Sequence, residues 1–241
     1  MSTELTREFI SELRSVIELR NDQAALEKLE NLHPADLAEI YESLHLEEAT
    51  YLFLLLDPEM AADVLVELEE DDREEFLRSL PSDVIASQFI DHMESDDAAD
   101  VIGDLAEEKK QEVLLHIDDV EQAGDIVDLL SYDDDTAGGL MAKELIRVNE
   151  NWGVATCIRE MRKQAEDLDE IYYIYVVSDD NVLLGILSLK ALLLASASTR
   201  IKDIYDEEVR SVQTDTPSEE VAQIMEKYDL IVFGMLDSQA L

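Results

Sequence analysis

The chain is expected to fold as an α plus α/β protein, a superhelical stack of short helices followed by a tandem β-α-β-β-α module. Upstream of residue 131 the apolar residues recur at helical spacing, whereas downstream strand-like runs such as Ile171–Val177 alternate with helical ones. Between the two lies Ser131-Tyr-Asp-Asp-Asp-Thr-Ala-Gly-Gly-Leu-Met141, which reads as a joint. Its carboxylates stand beside glycines that can adopt positive φ and turn main-chain carbonyls outward, a combination suited to a hard, oxygen-seeking cation. The same residues also suit a helix C-terminus followed by an acidic linker. The expected organisation is a helical-repeat domain over 1–130, the joint over 131–142, a first module over 143–200 and an incomplete second module over 201–241.

In chain order, Leu5, Phe9, Leu13, Val16 and Ile17 mark one face of an amphipathic helix. From 21 to 130 several short helices are punctuated by His33-Pro34, Asp57-Pro58, Pro81-Ser82, Ser95-Asp96-Asp97 and Asp118-Asp119. Asp57 can cap orphan amides while Pro58 presets φ at the first helical position. Ala61-Ala-Asp-Val64, Ala98-Ala-Asp-Val101 and Ala123-Gly-Asp-Ile126 recur within these helices and read as marks of stacked helix pairs. Beyond the joint, Leu145–Val148 is expected as a strand and 151–166 as a helix. Ile171–Val177 and Val182–Leu187 are expected as strands joined by a turn at Asp179-Asp-Asn181, and Ser188 starts the next helix. A second copy starts with a strand at Val209–Val212, continues with a helix from Pro217 to Lys227 and a strand at Ile231–Leu236, and then reads as truncated.

Charge excludes several functions. With 59 acidic and 18 basic residues the formal net charge is −41, a field that repels nucleic acid and anionic lipid and favours cations or basic partners. Abundant Leu, Ile and Val argue against disorder. The single cysteine, Cys157, rules out an intrachain disulfide and a cysteine-rich zinc site. No secretory signal is visible, and the longest apolar run is far short of the roughly 20 residues of a membrane span. The four histidines lack ligand-like spacing, and no Ser-His-Asp order or phosphate loop stands out, so an enzyme is not expected.

The β-α-β-β-α units, with Gly185-Ile-Leu-Ser188 closing the first, resemble a pair of CBS domains. Taken with the joint, with Ile171-Tyr-Tyr-Ile-Tyr-Val-Val177 and with the acidic helical stack, residues 32–237 resemble the cytosolic part of an MgtE-type magnesium channel. That resemblance implies a homodimer formed through the CBS domains and a transmembrane pore domain in the same full-length protein. It also implies a position on the cytoplasmic face of the membrane, and Mg2+ bridging the helical and CBS domains to favour the closed pore. The resemblance implies Asp63, Asp96, Gly139, Glu219 and Asp229 as metal ligands, and Asp97, Asp100 and Glu226 are further candidates. By residue type alone, Asp63, Asp96, Asp97 and Asp100 also suit solvated caps or surface charges. Pro217 stands where relatives can carry an acidic ligand, and the acidic helix that would close the second CBS domain is absent, so one interdomain site is expected to be incomplete.

Two other readings remain. An adenine-nucleotide-sensing CBS module would bind ATP near Tyr173 and Lys190, although the family's ribose-binding aspartate is replaced by Ala191. A helical adaptor would use the stack only to bind protein partners.

Overall fold

The computed structural model describes residues 5–165, 168, 171–230 and 234–236. By packing, the chain forms two units: one runs to Met93 and includes Asp97–Val127, the other comprises Glu94–Asp96 and the residues from Asp128 onward.

The first unit is helical. It begins with α1 (Arg7–Glu18) and α2 (Asp22–Leu29) and continues as pairs: α3 (Pro34–Glu42) with α4 (Leu46–Phe53), α5 (Pro58–Val66) with α6 (Glu70–Arg78), α7 (Ser82–Gln88) with α8 (Ser95–Gly103), and α9 (Glu107–Leu114) with α10 (Val120–Leu129), the first two residues of α8 and the last two of α10 belonging to the second unit. First helices start at 34, 58, 82 and 107 and second helices at 46, 70, 95 and 120, so the repeat is 24 or 25 residues long. The stacked pairs are as expected, and the recurring Ala-containing elements do not hold one position within them. Ala98 and Ala123 lie on second helices, but Ala61 lies on a first helix, because small residues suit any close helix contact and do not identify a position in the repeat.

Helix starts carry the period instead. Asp57 accepts the Glu59 N–H at 3.3 Å ahead of Pro58. At the preceding start, His33 Nδ1 accepts the Ala35 N–H and Asp36 accepts the His33 N–H, both at 3.3 Å. These bonds satisfy amides that have no partner within the helix.

An aromatic ladder runs through the core. Phe76, fully buried, meets Tyr41, Phe53 and Phe89 edge-on with ring centroids 6.2, 5.2 and 5.7 Å away. Polar ties add register. The Tyr41 hydroxyl donates to the Asp72 carbonyl (3.2 Å), Arg73 grips Asp104 through two N–H groups (2.6 and 2.9 Å), and Ser82 donates to Glu112 (2.8 Å). Gln122 donates to the carbonyls of Ile90 and Met93 at 3.1 and 3.0 Å. Each tie spans 29 to 32 residues, a little more than one repeat.

The second unit contains β1 (Ile146–Asn149), α11 (Val154–Gln164), β2 (Ile174–Val177), β3 (Leu183–Leu187) and α12 (Leu189–Leu194), then β4 (Ser211–Gln213), α13 (Ser218–Tyr228) and β5 (Gly234–Leu236). This is the expected β-α-β-β-α order followed by β-α-β. Of the last expected strand, 231–233 lie outside the described residues. β1 pairs parallel with β2 (Ile146 opposite Ile174), and β2 antiparallel with β3 (Ile174 opposite Leu187). β4 and β5 form a separate parallel pair.

The β2–β3 turn falls where expected, with Asn181 at φ 61°, a conformation its short polar side chain tolerates. Gly185 is required by close approach. A Cβ there would lie 2.2 Å from the Asp206 carbonyl oxygen, where residues 186 and 206 exchange backbone bonds of 2.9 and 2.8 Å.

Among the described residues, two cores of unequal size result. Ile146, Val148, Val154, Cys157, Met161, Ile174, Val176, Leu187, Leu192 and Ile201 are buried together, whereas the second core buries Ala137, Val212 and Val221. Trp152, expected on the first helix of this unit, lies just ahead of α11 and packs on the larger core.

Candidate functional site

The joint is built into the second unit. Ala137 N–H donates to the Thr216 carbonyl, Gly138 N–H to that of Thr214, and Ser218 N–H to that of Asp135, each at 2.8 Å. The joint thus fastens the chain between β4 and α13 and supplies Ala137 to the smaller core.

Asp133 organises the turn. Its carbonyl accepts the Thr136 N–H (2.9 Å) and hydroxyl (2.7 Å), while its carboxylate accepts the Asp135 N–H at 3.2 Å. This is the local side-chain-to-backbone capping that aspartate favours in turns.

The expectation of positive φ at the glycines is corrected. No glycine among the described residues has positive φ. The glycines are needed for space: a Cβ on Gly139 would lie 2.5 Å from the Asp133 carbonyl oxygen, and one on Gly138 2.4 Å from the Tyr132 ring.

The candidate metal ligands fall into separate groups. On the stacked helices, Asp63 is exposed on α5 between buried Ala62 and Val64. Asp96 and Asp97 are half-buried in the first turn of α8, and Asp100 is exposed one turn further on. Beyond the joint, exposed Glu219 and Glu226 sit two turns apart on α13, on one helix face. Asp229 caps that helix in the left-handed region (φ 53°, ψ 49°). Aspartate reaches that conformation more readily than most residues other than glycine.

Among the described residues, no three or more His, Cys, Asp or Glu side chains converge closely enough to hold a metal ion. The donor chemistry nonetheless fits magnesium. Every candidate offers a hard oxygen, and a magnesium ion keeps several waters and needs only one or two carboxylates. Scattered and exposed carboxylates are compatible with such hydrated ions.

A contact absent from the sequence reading lies beside Asp96. Ser95, fully buried at the start of α8, donates its backbone N–H to Glu144 Oε1 (2.9 Å) and its hydroxyl to Glu144 Oε2 (2.7 Å). Lys143 N–H in turn donates to Ser95 Oγ at 3.0 Å, and the Lys143 ammonium pairs with Asp128. A separation of 49 residues leaves no periodic signal for such a pair.

Of the candidate nucleotide contacts, Tyr173 is half-buried directly before β2 and Lys190 is exposed in the first turn of α12. The neighbouring Tyr175 hydroxyl is pushed above its ordinary value by burial and by Tyr173. Ser188 caps α12 by accepting the Ala191 N–H at 3.1 Å.

Cys157 carries no reactive role. Its thiol is fully buried against Met161 Sδ at 3.8 Å, and burial pushes it up to about 11. His33 is used in capping, and His116 Nδ1 lies 2.7 Å from the Glu112 carbonyl oxygen.

Residues 32–135 match the family model described as the MgtE intracellular N domain, and residues 137–198 match that of the CBS domain. The magnesium transporter MgtE of Thermus thermophilus is 33% identical over 228 residues, covering 94% of this chain and 51% of the relative. That of Enterococcus faecalis is 38% identical over 208 residues, covering 86% and 46%. The chain therefore spans about half the length of these curated relatives.

Among solved structures, the cytosolic domain of the Mg2+ channel MgtE in complex with ATP superimposes with a TM-score of 0.87 at 33% identity, covering 95% of this chain and 93% of that one. The soluble part of a magnesium transporter gives 0.84 at 30% identity, covering 95% and 90%. No helix among the described residues is long and apolar enough to cross a membrane.

Proposed function

The chain belongs to the MgtE family, and on that premise we propose that it is the cytosolic, magnesium-sensing region of a magnesium transport channel. In this reading Asp63, Asp96, Asp97 and Asp100 of the helical stack, together with Gly139, Glu219, Glu226 and Asp229, share hydrated Mg2+ and favour a closed pore elsewhere in the full-length protein. The observation that carries the proposal is the pairing of a family match over both regions with a net charge of −41.

These carboxylates repel one another when no cation is bound, so the cation-free protein favours a looser arrangement. Shared cations offset that repulsion, and the equilibrium moves toward whichever arrangement binds them more tightly. Moving a population from 1:99 to 99:1 needs roughly 5.5 kcal/mol of differential binding, which several weak sites acting together can supply. A homodimer through the CBS domains also belongs to this reading. It is supported by the exposed leucines of α12, Leu189, Leu193 and Leu194.

The test is small-angle X-ray scattering of this chain titrated with MgCl2 to about 20 mM, above the ~10⁻⁴–10⁻³ M range of weak hard-cation sites, with NaCl at matched ionic strength. Contraction specific to magnesium is expected. A radius of gyration that follows ionic strength alone would remove the sensing role.

A second reading is favoured by one relative, whose cytosolic domain was crystallised with ATP. Here Tyr173 would stack on the base and Lys190 would approach phosphate. Ala191 cannot supply a ribose carboxylate, so binding weaker than in a site with aspartate there is expected. Calorimetry with ATP, repeated on Tyr173→Ala, tests it; heats that the variant leaves unchanged would exclude that contact.

A further inference from the structure

We propose that Glu144 is a positioning residue for Asp96, acting by capping α8 from 49 residues downstream; this rests on the reading of Asp96 as a cation ligand. The first amides of a helix have no partner within it, and the N-terminus carries partial positive charge. At α8 the carboxylate that answers this comes from the segment leading into β1. Glu144 takes the Ser95 N–H on one oxygen and the Ser95 hydroxyl on the other, and the same Ser95 oxygen accepts the Lys143 N–H. Three bonds of 2.7 to 3.0 Å thus converge on one serine that is completely shielded from solvent.

Charge-assisted bonds of this kind are stronger than neutral ones, and their loss inside a shielded site leaves polar groups unsatisfied. The next residue in the chain is Asp96. The anchoring of Ser95 also constrains the backbone from which the Asp96 carboxylate extends, and through it Glu144 limits where that carboxylate can reach.

Glu144 also carries a negative charge held against Ser95, the residue before Asp96, and a cation bound by Asp96 is attracted by it as well. The carboxylate therefore has two separable effects, orientation through hydrogen bonds and attraction through charge. Glu144→Gln retains an acceptor for the Ser95 N–H and removes the charge. Glu144→Ala removes both. Ser95→Ala removes the hydroxyl and leaves the backbone bond.

The experiment uses the full chain with these three variants and Asp96→Asn. Hydrogen exchange of the first-turn amides of α8 is measured without magnesium, and the scattering midpoint is then determined by MgCl2 titration, with thermal melting as a check on folding. Glu144→Ala is expected to speed first-turn exchange and raise the magnesium midpoint about tenfold, the usual size for loss of a group that orients a metal ligand. Glu144→Gln and Ser95→Ala are expected to give smaller shifts, with melting temperatures close to that of the parent.

If Asp96→Asn raises the midpoint while Glu144→Ala leaves it unchanged, the positioning role is overturned and the sensing role stands. If Asp96→Asn leaves the midpoint unchanged, Asp96 is no ligand and both ideas fall for this site. Unchanged first-turn exchange in Glu144→Ala would overturn the cap itself. Should Glu144→Ala fail to fold, Ser95→Ala and Glu144→Gln carry the same comparison.

Discussion

The helical stack and the β4–α13–β5 segment are held together in different ways. In the stack, each repeat buries several large apolar side chains, the aromatic ladder crosses repeat boundaries, and polar ties run from one repeat to the next. Where β4 and α13 meet the joint, the described residues bury the small or medium side chains Ala137, Val212 and Val221, and three backbone bonds tie the joint to this segment. Side-chain burial stabilises in proportion to apolar area, whereas backbone pairing adds little net energy but is costly to leave unmade. The stack should therefore be the stable unit, and the β4–α13–β5 segment the one that responds to small geometric changes at the joint.

Substitution at the centre of the ladder tests the first half of that contrast most severely. Phe76→Ala removes a fully buried ring that touches three others, and a loss of about 3–5 kcal/mol is expected. Urea denaturation would measure it, and a change below about 1 kcal/mol would mean that the ladder is not the structural core.

The joint tests the second half. Gly139→Ala forces a methyl group against the Asp133 backbone, which cannot yield as a flexible side chain would. The expected cost is about 1–3 kcal/mol, typical of overpacking. Hydrogen exchange should localise the effect to 133–141 and 211–221, leaving α3–α6 protected. Uniform loosening of the whole chain would refute the separation.

The smallest effect concerns one tie in the stack. Burial, with Asp72 and Glu75 adding to it, pushes the Tyr41 hydroxyl up to about 12. Folding thus favours the protonated phenol. Its contribution is complete below the free phenol value of about 10 and is lost as pH rises from there through about 12. Tyr41→Phe should cost about 1 kcal/mol at neutral pH, the worth of one hydrogen bond, and should flatten the alkaline decline in stability between pH 10 and 12. An unchanged alkaline limb would assign that decline to other groups.

What could be read from the sequence follows the range of the interactions. The helix start at Asp57-Pro58, the turn at Asn181 and the cap at Ser188 are local and were recognisable. The order of strands and helices in the second unit is legible in the sequence, with ends shifted by a few residues, because alternation and helical spacing persist beyond the last backbone bond.

The recurring Ala-Ala-Asp element signals the stacked helices but not their register, since small residues report close packing wherever it occurs. Gly138 and Gly139 serve close approach rather than dihedral freedom. Sequence shows that a glycine is present, but not whether it serves a dihedral angle or a close approach. The Glu144–Ser95 contact was invisible, because only the fold brings the two residues together.

The buried thiol has a practical consequence for labelling the protein. Cys157 is the sole cysteine in the chain, lies wholly inside the larger core of its unit, and is protonated at any pH used for maleimide coupling. A cysteine introduced at an exposed position should therefore take a spin label or dye alone, without first removing the native residue. Paired labels, one on α5 and one on α13, would then report distances in a protein whose packing is otherwise unaltered.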